Sequence, residues 1–242
     1  MRHDTAQVFV SADRDAGGIE RALHEAAHAL AGAKRVALAR NQDGSWGAGD
    51  YTLDVLRDDS AANGTANGTV NCAADGTADF AALAQLPGIV RIDGAVCRAI
   101  GGGLREPALR DGVWRTLMLR VRPQAGTAQV AALERELLRM PAYMPGIRNW
   151  RLSRIATPGT WTHVWQQEFA HVGDLLGEYL MHPYHWGWVD RRFDVESPDW
   201  TVDAISHAFC PLASSLLAET AARCGANVKL TTPLETRRCE PC

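Results

Sequence analysis

Short runs of alternating or continuous apolar residues recur along the chain, separated by stretches in which apolar positions fall three and four residues apart. Gln7-Val8-Phe9-Val10-Ser11 reads as a first strand. Ile19, Leu23, Ala26, Ala27 and Leu30 then share one helical face, because a turn of about 3.6 residues returns these positions to the same side. Val36 to Arg40 is a second strand, Asn41-Gln42-Asp43-Gly44-Ser45 supplies turn residues, and Tyr51 to Leu56 is a third strand. Between Asp58 and Ala78 small and polar residues replace large apolar ones, so too little surface can be buried to offset the entropy of ordering, and a mobile insertion is expected. Phe80 to Leu86 fits a short helix and Ile89 to Ile100 a fourth strand, with Gly101-Gly102-Gly103 after it as a linker.

The same order returns. Trp114 to Val121 is a strand, and Val130, Leu133, Leu137 and Leu138 mark a helix running from Thr127, a plausible N-cap, to Met140, where Pro141 is expected to stop it. Strands follow at Ile147 to Ile155 and Trp161 to Phe169, then a helix at Asp174 to Met181 and a strand at Trp200 to Ile205. Pro211 to Arg223 reads as a terminal helix. Gly49-Asp50-Tyr51-Thr52 and Gly159-Thr160-Trp161-Thr162 echo each other at the third strand of each half. The predicted class is α+β: tandem ferredoxin-like (βαββαβ) repeats whose two sheets pack as halves of one barrel. Residues 1–110 form a diverged copy, 111–210 a second copy, and 211–242 a C-terminal helix and tail.

Composition narrows the partners. The chain has 242 residues, 46% of them hydrophobic, enough for a sizeable core. A formal net charge of −3 offers no basic stripe to track phosphates, so neither nucleic acid nor a membrane surface is an expected partner. Neither a signal-peptide core nor a spanning run of about 18 apolar residues is present, and a cytoplasmic protein is expected. The six cysteines are scattered and expected to be thiols; Cys239-Glu240-Pro241-Cys242 has metal or redox spacing but lacks a second pair. All tryptophans but Trp46, and most histidines, lie in the second half, which points to one working pocket there.

The densest chemistry lies in Glu178-Tyr179-Leu180-Met181-His182-Pro183-Tyr184-His185-Trp186-Gly187-Trp188, at the end of a helix that Pro183 cannot extend. Imidazole can take and return a proton near neutrality, and a phenol can donate one or hold an oxyanion. Each candidate also has a bland reading: Tyr179 as a core cap, His185 as packing, His163 as a core imidazole on an alternating strand, Asp203 as a turn carboxylate, Arg115 as a solvated edge residue, and His182 as a cation at a helix C-terminus. A metal set of His182, His185, His163 and Glu168 is disfavoured, because Pro183 interrupts the pair and no helical His-Glu-x-x-His is present.

Met144-Pro145-Gly146-Ile147, Trp161-Thr162-His163-Val164 and Tyr179-Leu180-Met181-His182-Pro183-Tyr184-His185 together make the chain from Trp114 to Phe209 resemble the stress-responsive dimeric alpha-beta barrel (Dabb) family. The resemblance implies an intrachain dimeric alpha-beta barrel, with the first half lacking the His-Pro-x-His signature. It implies an activity like that of the family's cofactor-free polyketide cyclases. By position, their catalytic tyrosine and histidine fall on Tyr179 and His185, a pocket histidine on His163, and a fourth-strand aspartate on Asp203. Two positions depart: Arg115 stands for a histidine and Leu137 for a tyrosine, which points to a more acidic substrate. The expected enzyme is a cofactor-independent lyase or cyclase making or breaking a C–C bond by aldol or retro-aldol chemistry on a small aromatic or polyketide-like carbonyl compound. His185 is its base, Tyr179 its acid or oxyanion donor, and Asp203 orients His185; Arg115, Trp165, Trp186, Trp188 and His182 bind substrate. Neither cofactor nor metal is expected; the partner is a small hydrophobic or aromatic substrate, and a homodimer is left open. A non-catalytic ligand-binding protein and a cofactor-free aromatic monooxygenase are the alternatives.

Overall fold

Among the described residues, eight strands form one antiparallel sheet: β1 (Arg2–Val10), β2 (Ala33–Arg40), β3 (Tyr51–Arg57), β4 (Ile89–Leu104), β5 (Arg110–Val121), β6 (Ile147–Ile155), β7 (His163–Phe169) and β8 (Val202–Ser214). The computed structural model describes residues 2–12, 15–57 and 80–223; the expected insertion at 58–78 and the Cys239/Cys242 tail lie outside the described residues. The strand order is β2-β3-β1-β4-β6-β7-β5-β8, so each half has the ferredoxin-like order and the two halves lie end to end. β4 and β6 join them through a ladder from Cys97↔Ile155 to Leu104↔Asn149. At the other seam the β2–β3 loop meets β8. Trp46 N donates to His207 O and His207 N to Trp46 O, both at 2.8 Å, and Gln42 N donates to Phe209 O at 2.9 Å. With both seams joined, the sheet closes as a barrel and its edges are covered.

The helices are α1 (Ala16–His28), α2 (Thr127–Tyr143) and α3 (Leu216–Arg223), and residues 80–83 are also helical. Their apolar faces cover the outer side of the sheet. Leu23 and Ala27 of α1 pack with Phe80, Leu83 and the strand residues Ala6, Val8, Leu53 and Val55. Leu133, Leu137 and Met140 of α2 pack on Leu117, Leu119, Trp165, Phe169 and Phe209. Inside the barrel, Ala95, Cys97, Met118 and Val164 meet. Beside them a polar chain links the halves: His3 contacts Asp54, Gln166 Nε2 donates to Asp54 Oδ2 at 2.9 Å, and Arg151 donates to Gln166 Oε1 at 2.8 Å.

Several boundaries differ from the sequence expectation, for physical reasons. Gly101-Gly102-Gly103 is not a linker but the end of β4, paired with β6. A Cβ at Gly103 would lie 2.3 Å from Trp150 Cζ2 and one at Gly102 would lie 2.7 Å from Trp150 O, so glycine is needed for the close approach of the strands. Helix α2 runs past Pro141 to Tyr143, so the proline removes one hydrogen bond of the last turn without ending the helix there; its N-cap is Gly126, whose N–H donates to Gln129 Oε1 at 2.9 Å. β8 runs through Pro211 to Ser214 instead of giving way to a helix there. Phe209 turns its N–H and C=O to Ser45 and Gln42 in the β2–β3 loop, so Pro211, two residues on, also faces the side without a ladder, where proline is tolerated. The terminal helix starts instead at Leu216, where Glu168 Oε1 accepts from the N–H groups of Leu216 and Leu217 at 2.7 and 3.0 Å. A buried carboxylate at a helix N-terminus meets both orphan donors and the positive dipole end.

Candidate active site

The segment after β7 is two short helical pieces, 172–181 and 183–192, broken at His182. Pro183 opens the second piece, where its missing N–H and preset φ suit the first helical position, and His182 Nδ1 accepts from Tyr184 N at 3.0 Å. Asp174–Tyr179 and His185–Val189 are wound as π-helix, a wider turn frequently found at functional sites. The two windings bring Tyr179 and His185 together across the break, their ring centroids 4.9 Å apart and inclined at 67°. Glu136 of α2 clamps the second piece in place, accepting from Arg192 at 2.7 and 2.8 Å and from Arg191 at 3.1 Å. Tyr184 does not face the ligand space: its hydroxyl donates to Glu136 O at 3.0 Å, and burial pushes its pKa up to about 12.

Beneath Tyr179 and His185 lies the outer face of the second half-sheet, with a cavity of about 360 Å³ between them. That size suits a small molecule. Its walls are largely apolar, from Leu117, Leu137, Leu176, Leu180, Val189, Phe193 and Ile205. The polar groups are Arg115 on β5, His207 on β8, Tyr179, His185 and Asp190, and the β2–β3 loop of the first half adds Gly44 and Trp46. Arg115, buried to 3% exposure, donates to Tyr179 Oη at 3.0 Å and also contacts Gln167 Oε1. Its guanidinium carbon lies 4.9 Å from the Tyr179 ring centroid, within cation–π range, while its Nε has no hydrogen-bond partner. His185 Nδ1 lies 3.0 Å from Asp190 Oδ1, close enough for an ion pair but not aligned as a hydrogen bond. For His207, burial first and then the positive charge of Arg115 lower the pKa to about 3, so its imidazole is neutral near pH 7.

The expected site residues are therefore only partly assembled. Tyr179, His185 and Arg115 meet in the cavity. Asp203 does not reach His185: Arg120 pairs with Ala204 and Val121 with Val202, leaving Asp203 as the extra residue of a β-bulge, and its carboxylate turns to Arg120 Nε at 2.6 Å. His163 shares the sheet face but not the cavity. It contacts Glu134 Oε1 at 3.0 Å and Thr162 Oγ1 at 2.9 Å beside a separate open groove, and burial lowers its pKa despite Glu134. Trp165 is fully buried in the core, because β7 is a central strand under α2. Trp186 and Trp188 point outward, 55% and 50% exposed; Trp186 Nε1 donates to Leu180 O, and Trp188 stacks on Tyr184 beneath Arg191. His182 acts at the helix break. Sequence reasoning missed His207, Asp190 and Trp46. The alternation Ile205, His207, Phe209 carried the signal for His207, beyond the point where the strand was expected to end. Among the described residues no group of three His, Cys, Asp or Glu side chains is placed to hold a metal ion. Nor is any described helix long and apolar enough to cross a membrane.

Two ferredoxin-like repeats closed into one barrel, with a cavity between sheet and helices, define an α-β barrel protein of the dimeric type built within a single chain. Residues 113–202, within the second repeat, match the model of the Dabb family, the stress responsive A/B barrel domain. No curated protein matches the chain by sequence. Among solved structures, an anthrone oxidase-like protein is similar with a TM-score of 0.57 at 12% identity, over 88% of this chain and 91% of that one. A candidate monooxygenase from Fusobacterium nucleatum has a TM-score of 0.54 at 10% identity, over 88% and 92%. Another from Lactobacillus acidophilus has 0.51 at 13%, over 88% and 95%. At such identities the likeness is one of fold.

Proposed function

We propose that this protein is a cofactor-independent enzyme that forms an enolate from a small aromatic or polyketide-like carbonyl compound and uses it to make or break a C–C bond. The observation that supports this reading is the meeting of Arg115, Tyr179 and His185 in one largely apolar cavity. His185 takes the proton from the carbon next to the carbonyl, and the C–H electron pair moves onto the carbonyl oxygen. Tyr179, whose oxygen already accepts from Arg115, has its own proton to donate to that oxyanion, and the guanidinium supplies the compensating charge. In the aldol direction the enolate carbon attacks a second carbonyl carbon, whose oxygen takes up the proton; in the retro-aldol direction the same bond breaks and the proton returns to carbon. Exclusion of water by the leucine-rich walls strengthens each of these electrostatic contacts.

The test follows loss of the methyl proton signal of hydroxyacetophenones in D2O, which reports enolate formation whatever its later fate. The protein should accelerate exchange, and His185→Ala and Tyr179→Phe should each slow it about 100-fold or more. Exchange within about threefold of wild type in both variants would remove these residues from the chemistry. A second reading is a cofactor-free monooxygenase, in which the same carbanion reacts with dioxygen, giving an oxidised carbon and water. It is favoured by the apolar walls, which suit dioxygen, and by the fold shared with the candidate monooxygenases and the anthrone oxidase-like protein. Oxygen uptake during turnover supports it, and undiminished turnover under nitrogen excludes it. Binding without exchange or oxygen uptake would leave a ligand-binding protein.

A further inference from the structure

Besides His185 Nδ1, which faces the Asp190 carboxylate at 3.0 Å, two nitrogens in the cavity wall are buried without a hydrogen-bond partner: Nε of Arg115 and Nε2 of His207. Unpaired buried polar atoms are few in folded proteins, and two lining one cavity mark where a ligand supplies the missing hydrogen bonds. Arg115 lies opposite Phe209 and His207 opposite Leu117 in the β5–β8 ladder. The two are diagonal neighbours on one face, close enough to hold one small ligand at two points.

We propose that His207 is a second ligand anchor, which hydrogen-bonds a hydroxyl group distinct from the oxygen held by Arg115 and Tyr179, so that the cavity selects hydroxylated aromatic compounds. The inference rests on the reading of Arg115 and Tyr179 as the oxyanion site. Burial and the neighbouring charge of Arg115 keep the His207 ring neutral near pH 7, so it serves as a hydrogen-bonding group and not as another cation for the same anion. Its position is set by the fold: the backbone of His207 exchanges two 2.8 Å hydrogen bonds with Trp46, and its ring lies 5.8 Å from that of Phe209. The first half of the chain thus aligns a binding residue of the second half and places Trp46 at the same cavity. Leu117 and Ile205, apolar wall residues on the strands that carry the two anchors, offer a surface for a ring.

Calorimetric titration of the full chain with benzoate and with 2-, 3- and 4-hydroxybenzoate at pH 7 tests this. At least one hydroxylated isomer should bind about tenfold tighter than benzoate, the preference expected of one added hydrogen bond to a buried group. His207→Phe should abolish that preference with benzoate affinity within about threefold of wild type, and His207→Gln, which retains donor and acceptor, should restore part of it. His207→Leu serves if the phenylalanine variant does not fold. Arg115→Gln should weaken all four ligands alike; unchanged benzoate affinity in that variant would remove the oxyanion site while leaving the His207 comparison readable. No preference for any hydroxylated isomer in the wild type, no binding of any of the four, or a preference that survives in His207→Phe or His207→Leu, overturns the proposal.

Discussion

A guanidinium buried as deeply as that of Arg115 needs its charge met, yet its hydrogen-bond partners, Gln167 and the Tyr179 hydroxyl, are both neutral. An anionic ligand in the cavity would supply what they lack. Replacing such a charge with an apolar side chain of similar volume is often close to neutral for stability. Arg115→Met is therefore expected to unfold in urea within about 1 kcal/mol of wild type and to lose the stabilisation that a saturating anionic aromatic ligand gives, about 2.7 kcal/mol at a hundredfold excess over Kd. His207 adds a pH dependence with a definite sign. Its folded pKa, about 3, lies below the ordinary value of 6.5, so as pH falls between these values the unfolded chain takes up a proton that the folded chain refuses. The stability it contributes is complete above about pH 6.5 and is lost as pH falls towards 3. His3 and His163, lowered chiefly by burial, act in the same direction. Thermal melts from pH 7 to 4 should fall less steeply for His207→Phe than for wild type; parallel curves would contradict the assignment.

The elements carry the site because their irregularities fall where the chemistry does. Period-two and helical patterns made the strands and α1 legible in the sequence, but glycine and proline read as punctuation where the fold uses them inside strands. The pattern therefore ends β4 before Gly101, whereas the strand runs to Leu104, and it ends the last strand at Ile205, whereas β8 continues through His207 and Pro211 to Ser214. A bulge is invisible to simple alternation, since one extra residue changes every direction after it; that is why Asp203 was assigned to His185 and in fact faces Arg120. Tyr179 and His185 were legible as chemistry, whereas their encounter depends on π-helical winding that residue spacing does not encode. Two substitutions test the elements. Gly102→Ala brings a Cβ to 2.7 Å from a backbone oxygen of β6, and should destabilise the fold by about 1–3 kcal/mol in urea titrations. Glu168→Gln replaces an acceptor-only carboxylate, which takes hydrogen bonds from Asn149, Ser215, Leu216 and Leu217, with a group that is half donor. A similar loss is expected, with faster amide exchange in α3 as its signature.

At the scale of the whole molecule, the two repeats have kept one architecture and divided its uses. In the first, Phe80, Leu23 and Tyr51 belong to a packed core between sheet and helices, and a Cβ on Gly94 would lie 2.2 Å from Phe80 Cδ2. In the second, the corresponding layer holds the cavity. The duplicated strand order was legible in the sequence because each repeat has its own periodicity; the seam that carries Trp46 to His207 was not, since a contact across 161 residues leaves no local pattern. Trp46 is 65% exposed, so Trp46→Ala should alter the melting temperature little but weaken aromatic ligands severalfold in the same titrations. Equal affinity in that variant would detach the first half from the site.

The most direct measurement is a crystal structure of the full chain with 3-hydroxybenzoate bound. The carboxylate is expected within about 3 Å of Arg115 Nε and Tyr179 Oη, with the ring against Leu117 and Ile205. A ligand seated instead in the groove beside His163, or on the exposed faces of Trp186 and Trp188 with the cavity unfilled, would contradict the assignment of the working site to Arg115, Tyr179 and His185.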